Sequence, residues 1–362
     1  MTESDFIPEG YSHQLEDGSV SWSSPSNIAL VKYWGKHEPQ MPANPSISFT
    51  LDSCRSDTKL SFSKRKHAGT DFSFDLIFEG KEQPDFKPKI ATFFKRIERY
   101  LPFLNDYHLV IESSNSFPHS SGIASSASAF SALALCLMSM ERKLDPDMSH
   151  EDFTRKASFL SRLGSGSACR SVEGGLVVWG DHDDIPGSSD LYGIPFPFEI
   201  HERFKSYHDT ILLVDKGKKQ VSSTLGHQLM VDHPFGEQRF KQANSNLALL
   251  TPILQIGDLQ GFIHIVEQEA LSLHAMMLTS NPYFMLMKPN TLNIINSVWE
   301  FRRETGHNLC FTLDAGANVH LLFPDAESDK IYEFIKNELV AYCENGHYIC
   351  DNVGSGAKQT SD

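Results

Sequence analysis

The spacing of apolar residues in the first half of the chain predicts strands followed by helices. Apolar and polar residues alternate over 45–62 and again over 107–113, which is the pattern of half-buried strands. Apolar residues then recur at helical spacing from Ile123 to about Lys143, and a shorter helix is predicted over 151–163. A loop rich in serine and glycine and an apolar strand at 174–180 follow, so we predict this half to be α+β.

The second half is predicted to contain more helix. After a strand at 210–216, the spacing predicts helices at about 235–256, 258–278, 289–306 and 327–345. Residues 310–323 are predicted to form two apolar strands joined by a tight turn, and the turn-rich segment 181–200 is a predicted linker or excursion. Because strands and helices do not alternate regularly, a doubly wound parallel sheet is not favoured, and two α+β domains are predicted.

Length and composition support two domains. The chain has 362 residues, of which 40% are hydrophobic and 22% charged, as in a soluble globular protein. Because one hydrophobic core rarely supports this length, we predict an N-terminal extension over 1–20 and domains over 21–195 and 196–362. No apolar run is long enough to predict a membrane span, and the polar, acidic N-terminus does not have the pattern of a secretory signal.

The charge and the cysteines narrow the possible partners and compartment. A formal net charge of -14 argues against nucleic acid or an anionic membrane as the main partner, although a small polyanion needs only a local group of cations. The six cysteines show neither CxxC pairs nor metal-ligand spacing, so they are predicted to be buried thiols in a reducing cytosol. The candidate cations for a polyanion site are Lys32, Lys36, Arg170, Lys216, Lys218 and Lys219.

A segment of small residues between a predicted strand and a long helix is a candidate phosphate loop. It reads PHSSGIASSA over 118–127. Small side chains let the backbone approach a ligand, and the free N–H groups at a helix N-terminus attract anions. Gly122 suits a tight turn, and Ser125 and Ser126 add hydroxyl donors. Taken alone, the segment fits equally a serine-rich helix cap that binds nothing, and it lacks the Gly-Lys-Ser/Thr of a Walker loop.

This segment resembles the phosphate loop of the GHMP kinases. The resemblance implies that ATP is bound by residues of this loop, namely Ser120, Ser121, Gly122, Ala124, Ser125 and Ser126. Two further stretches, NIALVKYWGK over 27–36 and NPSISFTL over 44–51, resemble the N-terminal signature of the diphosphomevalonate decarboxylases. They offer cations, an amide and aromatic rings, which suit an anionic substrate with an aliphatic body.

Other segments extend this resemblance from about Ser24 to Gly356. GSGSACRS over 164–171 and FTLDAGAN over 311–318 match the decarboxylases closely, with Ala317 in place of proline. Weaker matches are VSSTLG over 221–226, followed by His227 where the family has methionine, and VGSG over 353–356. Arginine matches carboxylate or phosphate with two parallel donors, but a surface ion pair is an alternative for Arg170, and turn aspartates such as Asp314 commonly cap their own backbone.

The resemblance implies a fold, an activity and a set of site residues. The fold would be an N-terminal ATP-binding domain with a left-handed βαβ unit and a C-terminal ferredoxin-like domain. The activity would be ATP-dependent decarboxylation of mevalonate 5-diphosphate in the cytoplasm by a homodimer. Mg²⁺ would be held through the ATP phosphates, with no protein ligand predicted. The implied catalytic residues are Asp314, Arg170 and Lys32, and the implied substrate-binding residues are Asn27, Tyr33, Lys36, Ser165, Ser167, Ser222 and Ser223.

Three alternatives remain open at this point. An enzyme of the same architecture that decarboxylates mevalonate 5-phosphate, or a mevalonate 3-kinase that stops before decarboxylation, would carry much of the same sequence. The serines of the 164–171 and 221–226 segments favour the diphosphate, since a monophosphate needs fewer donors. A non-catalytic sensor of nucleotides or isoprenoid precursors predicts the loss of Asp314, Arg170 or Lys32, and all of these residues are present.

Overall fold

The computed structural model describes residues 1–11, 13–66, 71–118, 123–217 and 223–361. Fourteen strands lie in these ranges. They are β1 (Gly18–Val31), β2 (Lys36–His37), β3 (Met41–Pro42), β4 (Ser46–Lys64), β5 (Ser73–Phe78), β6 (Lys81–Glu82), β7 (Tyr107–Asn115), β8 (Leu176–Trp179), β9 (Ile194–Pro195), β10 (His208–Leu212), β11 (Cys310–Thr312), β12 (Val319–Phe323), β13 (Tyr348–Asn352) and β14 (Lys358–Ser361).

The described ranges also contain nine α-helices, none of them long and apolar enough to cross a membrane. They are α1 (Lys87–Ile97), α2 (Ser125–Leu144), α3 (His150–Gly164), α4 (Glu202–Lys205), α5 (Ser223–Gln228), α6 (Gly236–Ile256), α7 (Leu259–Thr279), α8 (Pro289–Thr305) and α9 (Ser328–Phe334).

Local chemistry explains where several of these helices begin and end. The Ser149 hydroxyl accepts the Asp152 N–H at 3.0 Å at the start of α3, and the Asp258 carboxylate accepts the Gly261 N–H at 3.0 Å at the start of α7. Gly257 ends α6 and Gly306 ends α8, both at positive φ, the left-handed conformation that glycine adopts without a side-chain clash.

The first sheet has eight strands, with the order β14-β1-β4-β7-β5-β6, and β8 and β9 continue it from the other half of β4. The long β1 and β4 pair antiparallel along most of their length. β5 and β7 pair in parallel with α1 in the connection between them. Helix α2 packs on this sheet and α3 packs against α2, and their apolar residues belong to one core. The parallel pair and the helix between its strands form a βαβ unit, while the predicted left hand of that unit stays a prediction.

The second sheet has four strands in the order β11-β12-β10-β13, all antiparallel. Along the chain these strands and their helices follow a β-α-β-β-α-β sequence, which with this strand order is the ferredoxin-like arrangement. The two-domain α+β prediction is therefore confirmed. The helix predicted over 327–345 differs in detail, because α9 ends at Phe334 and continues as a wider π-type turn over Ile335–Leu339. Ile335 and Leu339 both stay buried, so the apolar periodicity persists through a different kind of turn.

The two lobes are joined at several points. Strand β14, near the end of the chain, pairs with β1 in the first sheet. The Asp351 carboxylate in β13 accepts backbone N–H groups of Asp52, Ser53 and Cys54 at 2.7–2.9 Å. The chain thus returns to the first lobe after forming the second. The predicted domain bounds, 21–195 and 196–362, stay predictions.

The segment before β1 packs on the first lobe. The Phe6 ring is buried and stacks on Phe159 of α3, with ring centroids 4.1 Å apart. The Tyr11 hydroxyl donates to a Glu141 carboxylate oxygen at 2.9 Å. Since β1 begins at Gly18, most of the predicted extension is an ordered part of this lobe that lies outside the sheets.

Candidate active site

A polar cavity of about 260 Å³ is lined by residues from both lobes. Its walls come from the end of β1, from the turn after α3, from α5 and from the turn between β11 and β12. Segments more than two hundred residues apart in the chain therefore meet here. Nine of the predicted site residues line this cavity: Lys32, Tyr33, Lys36, Ala124, Ser126, Ser165, Ser167, Arg170 and Asp314.

Lys32 and Asp314 form an ion pair across the cavity. Lys32 follows the last residue of β1, and Asp314 follows β11. The Lys32 Nζ lies 3.0 Å from Asp314 Oδ1, with the lysine side chain 2% exposed and the aspartate 26% exposed. Burial lowers the pKa of the Lys32 ammonium, and the nearby Asp314 carboxylate opposes that shift. The partly open carboxylate is thus held in place and remains within reach of a ligand.

A buried network holds the backbone of Lys32. Its N–H donates to Glu269 Oε2 at 2.8 Å. Glu269 also accepts from Arg239, whose Nη1 lies 2.9 Å from Oε1 and whose Nη2 contacts Oε2, and from the Asn246 amide at 2.6 Å. Every one of these side chains is buried, so the carboxylate is neutralised and fully hydrogen-bonded within the protein. Glu269 and Arg239 therefore position Lys32 without lining the cavity.

Replacing Glu269 with glutamine is expected to lower the free energy of unfolding by about 3–5 kcal/mol, because it leaves the buried Arg239 charge without its counter-ion. Urea unfolding followed by circular dichroism measures this change. A double variant, Arg239→Met with Glu269→Met, removes both charges and is expected to recover much of the loss. If Glu269→Gln alone is as stable as the parent, the proposed ion pair between Glu269 and Arg239 is contradicted.

His274 fixes the backbone beneath Asp314. Its Nε2–H donates to the Asp314 carbonyl oxygen at 3.1 Å, and burial lowers the pKa of the imidazole to about 4. The ring is therefore neutral at physiological pH and adds a donor without adding charge. The tight turn that carries Asp314 is thus anchored from α7.

Arg170 presents a buried cation to the same cavity. It lies in the short helical turn Gly166–Ser171, where its Nη1 donates to the Ser46 hydroxyl. Its Nε and Nη2 both lie 3.4 Å from the amide oxygen of Asn27. These partners are neutral, and no described carboxylate forms an ion pair with Arg170, although Asp314 acts on it at longer range. A buried guanidinium held only by neutral groups is a ready site for a ligand anion.

The predicted substrate-side residues surround this cation. The Asn27 amide donates to the Ser167 carbonyl at 3.1 Å and to the Ser171 hydroxyl at 2.8 Å, so Asn27 positions the 164–171 turn from behind the cavity. The Lys36 Nζ reaches Gln40 Oε1 at 2.6 Å and Glu38 Oε1 at 3.1 Å. Tyr33 packs edge-on against Trp179, and burial raises the pKa of its phenol, which therefore stays protonated.

The start of α2 lies beside the cavity on another side. Ala124 precedes the helix at φ 43°, and the Ser126 hydroxyl lies 3.2 Å from that of Ser165. Ser125 and Ser126 also line a second, mostly apolar cavity of about 200 Å³, formed by strand and helix side chains of the first lobe. Lys89 lines both cavities, with its Nζ 5.1 Å from the centre of the Phe130 ring. The two cavities therefore adjoin each other at Lys89 and Ser126, and one is polar while the other is mostly apolar.

Some predicted site residues lie outside the described residues. These are Ser120, Ser121, Gly122 and Ser222, while Ser223 begins α5 without a described side chain. Other residues at or behind the cavity were not predicted. Glu269, Arg239, His274 and Lys89 lie in helices whose sequence carries no distinguishing motif. His227 also lines the cavity and was not predicted as a site residue. Its only signal in the sequence was that it replaces the family's methionine.

The arrangement fits a nucleotide with magnesium. Helix N-terminal N–H groups, the Ser126 hydroxyl and the Lys89 ammonium suit phosphate, and the adjoining apolar cavity suits a flat organic base. Within the described ranges, no three His, Cys, Asp or Glu side chains are grouped to hold a metal. Mg²⁺ in such sites is typically held by one or two carboxylates together with substrate phosphates, and among the described residues that line this cavity the carboxylate is that of Asp314.

Comparison with known proteins identifies the family. A family model described as the diphosphomevalonate decarboxylase-like N-terminal domain matches residues 24–191, and one described as the mevalonate 5-diphosphate decarboxylase C-terminal domain matches residues 210–359. The diphosphomevalonate decarboxylase of Candida albicans is 32% identical over 341 residues, which span 88% of this chain and 87% of that protein.

Solved structures agree with the sequence matches. The mevalonate diphosphate decarboxylase of Staphylococcus aureus superposes with a TM-score of 0.80 at 27% identity, covering 95% of this chain and 98% of that one. MDDEF in complex with MVAPP, AMPPCP and magnesium superposes with a TM-score of 0.81 at 25% identity, covering 95% and 99%. The GHMP-type fold is thereby confirmed, and the chain belongs to the diphosphomevalonate decarboxylase family.

Proposed function

We propose that this enzyme converts mevalonate 5-diphosphate and ATP into isopentenyl diphosphate, ADP, phosphate and CO₂. The observation that carries the proposal is the pairing of two features in one cavity. Among the described residues, the buried guanidinium of Arg170 has only neutral hydrogen-bond partners and is available to a carboxylate. The Lys32–Asp314 pair is available to a hydroxyl. A substrate with both groups on adjacent carbons meets both features at once.

Asp314 acts on the tertiary hydroxyl of the substrate. Its partly exposed carboxylate accepts the hydroxyl proton as the oxygen attacks the terminal phosphate of ATP. General-base assistance of this kind is typically worth about 10²–10⁴-fold in rate. Lys32 orients the carboxylate through their ion pair and stabilises negative charge on the transferred phosphoryl group.

Arg170 acts in the second half of the reaction. Departure of the new phosphate leaves positive charge on the tertiary carbon, and loss of the neighbouring carboxylate as CO₂ supplies the electron pair that forms the alkene. Two parallel N–H donors from Arg170 hold the carboxylate in the orientation that this step needs. The neutral amide of Asn27 keeps the guanidinium oriented without competing for its charge.

The nucleotide is bound at the start of α2. Its phosphates lie against the helix N-terminus and Ser126, and its base enters the apolar cavity beside Lys89. MDDEF was solved with AMPPCP and magnesium together, which supports ATP and Mg²⁺ as the cofactors of the present enzyme as well. When bound, Mg²⁺ neutralises phosphate charge, while the protein supplies position and exclusion of water.

An assay of ADP and CO₂ release with mevalonate, its 5-phosphate and its 5-diphosphate side by side tests the proposal. We expect both products in equal amounts from the diphosphate. Release from the monophosphate alone would assign the protein to monophosphate decarboxylation. ADP without CO₂ would assign it to 3-kinase chemistry, and no turnover of any substrate would support a binding protein.

The Ser167 hydroxyl is proposed to contact the distal phosphate of the substrate. Ser167→Ala is expected to raise KM for the diphosphate about tenfold, because a hydrogen bond to a charged group contributes about 1.5–3 kcal/mol. The monophosphate lacks the distal group, so its KM is expected to change little in Ser167→Ala. Ser61 of β4 lines neither cavity, so Ser61→Ala serves as the control. Equal weakening of both substrates would contradict the assignment.

We also propose that the enzyme works as a homodimer in the cytoplasm, with domains over 21–195 and 196–362. All six cysteines are free, five of them buried, which fits a reducing compartment. Light scattering after size-exclusion chromatography tests the dimer, and limited proteolysis tests the boundary near residue 195.

A further inference from the structure

His227 is held between aromatic side chains at the wall of the main cavity. It lies in α5 and is buried, with its ring centroid 4.3 Å from that of Tyr33 and 4.7 Å from that of Trp34. These two ring contacts hold the imidazole in place. The residue lines the main cavity together with Lys36 and Ser165.

The contacts of His227 determine which ring nitrogen carries the proton. The Gly35 N–H donates to Nδ1 at 3.0 Å, so Nδ1 is an acceptor and the proton resides on Nε2. Burial is the main cause that lowers the pKa of this imidazole to about 3, and the positive charge of Lys36 lowers it further. The group is therefore a neutral ring with one N–H donor in a fixed direction.

Two other buried histidines show what happens to such a donor elsewhere in the chain. The Nδ1 atoms of His182 and His233 also accept a backbone N–H, each at 3.1 Å. Their Nε2–H groups then donate to main-chain carbonyls, those of Asn244 at 3.1 Å and Met276 at 3.0 Å. The Nε2–H of His227 has no such acceptor among the described residues, and His227, unlike the other two, lines the cavity.

We propose that His227 is a phosphate-binding residue of this enzyme, donating its Nε2–H to the diphosphate of the substrate. The inference rests on the proposed function and deepens it by naming a recognition residue that a methionine cannot replace. Lys36, Ser165 and Ser167 line the same cavity as this ring, and Ser167 is the proposed contact of the distal phosphate. A neutral donor here strengthens phosphate binding without adding a second positive charge beside Lys36.

The test compares two substitutions at His227 with one control. His227→Met keeps the bulk and removes the donor, so KM for mevalonate 5-diphosphate is expected to rise about tenfold with KM for ATP unchanged. His227→Gln keeps an N–H donor near the position of Nε2, so KM for mevalonate 5-diphosphate is expected to rise less in this variant. The control is His233→Gln, since both ring nitrogens of His233 are bonded within the protein and it does not line the cavity.

A binding measurement separates this inference from the proposed function. Isothermal titration with inorganic pyrophosphate is expected to give about tenfold weaker binding to His227→Met than to the parent. If the parent fails to turn over mevalonate 5-diphosphate but this difference persists, the proposed function falls and the His227 site stands. If the parent turns over and both variants match it in KM and pyrophosphate affinity, the inference is overturned. Equal weakening by methionine and glutamine also overturns it, because packing would then be the cause. If the methionine variant does not fold, His227→Leu removes the donor in its place and is compared with glutamine in the same way.

Discussion

Asp314→Asn is expected to lower kcat by about 10²–10⁴-fold while the fold and substrate binding are retained. The change is isosteric and removes the charge and basicity of the group that takes the hydroxyl proton. The asparagine oxygen still accepts a hydrogen bond from Lys32, whose ammonium lies 3.0 Å from Asp314 Oδ1 in the parent. Without the carboxylate, the pKa of the buried Lys32 falls further, so the lysine becomes neutral more readily. The variant therefore need not bury an unpaired charge, and the fold is retained.

A second aspartate that pairs with lysine provides the control for this experiment. Asp75 lies 3.3 Å from Lys87 Nζ on the first lobe, and it lines neither cavity. Asp75→Asn therefore removes an exposed ion pair, and kcat is expected to stay at the parental value. Single-turnover measurement of ADP and CO₂ separates the chemical step from product release. CO₂ release by Asp314→Asn near the parental rate would remove Asp314 from the role of base.

The main parts of this fold were predictable because each depends on local periodicity. The long helices α2, α6, α7 and α8 and the strand pair around the Asp314 turn lie close to their predicted positions. The pairing of β14 with β1 was not predictable in this way. It joins residues more than three hundred positions apart, and nothing in the periodicity of a four-residue strand indicates its partner.

The directly reacting residues could be predicted, but only through resemblance. Lys32, Arg170 and Asp314 lie in three separate segments, and the spacing between them carries no information on distance in the folded protein. Each segment has its own motif, so matching motifs identified them together. The structure adds that they line one cavity, with an ion pair between the first and the last.

The supporting residues could not be predicted for a physical reason. Glu269 and Arg239 occupy helix positions where a charged residue is usually solvated, and only the packing of α6 and α7 buries them against each other. Their role is to hold the Lys32 backbone, and such roles depend on geometry rather than on residue type. His227 was predictable in part. The sequence shows that it departs from the family's methionine, but only the structure shows the hydrogen bond from Gly35 that determines its tautomer.

Arg170→Lys is expected to lower kcat by about 10²-fold or more, with a smaller change in KM for ATP. An ammonium keeps the positive charge but cannot give two parallel N–H donors to one carboxylate. Its shorter reach also loses the contacts with Asn27 and Ser46 that orient the guanidinium in the parent. The carboxylate is then held in several orientations, of which few allow loss of CO₂.

The product ratio identifies the step at which Arg170 acts. If Arg170 orients the carboxylate, phosphoryl transfer continues in the lysine variant and ADP forms ahead of CO₂. Arg55→Lys is the matched control, because Arg55 also bonds only neutral acceptors within the described part of the chain, those of Ser23 and Gly356, and lines neither cavity. It is expected to keep equal release of both products. Intact turnover with weakened ATP binding in Arg170→Lys would instead assign this arginine to the nucleotide, and the carboxylate would need another partner in the cavity.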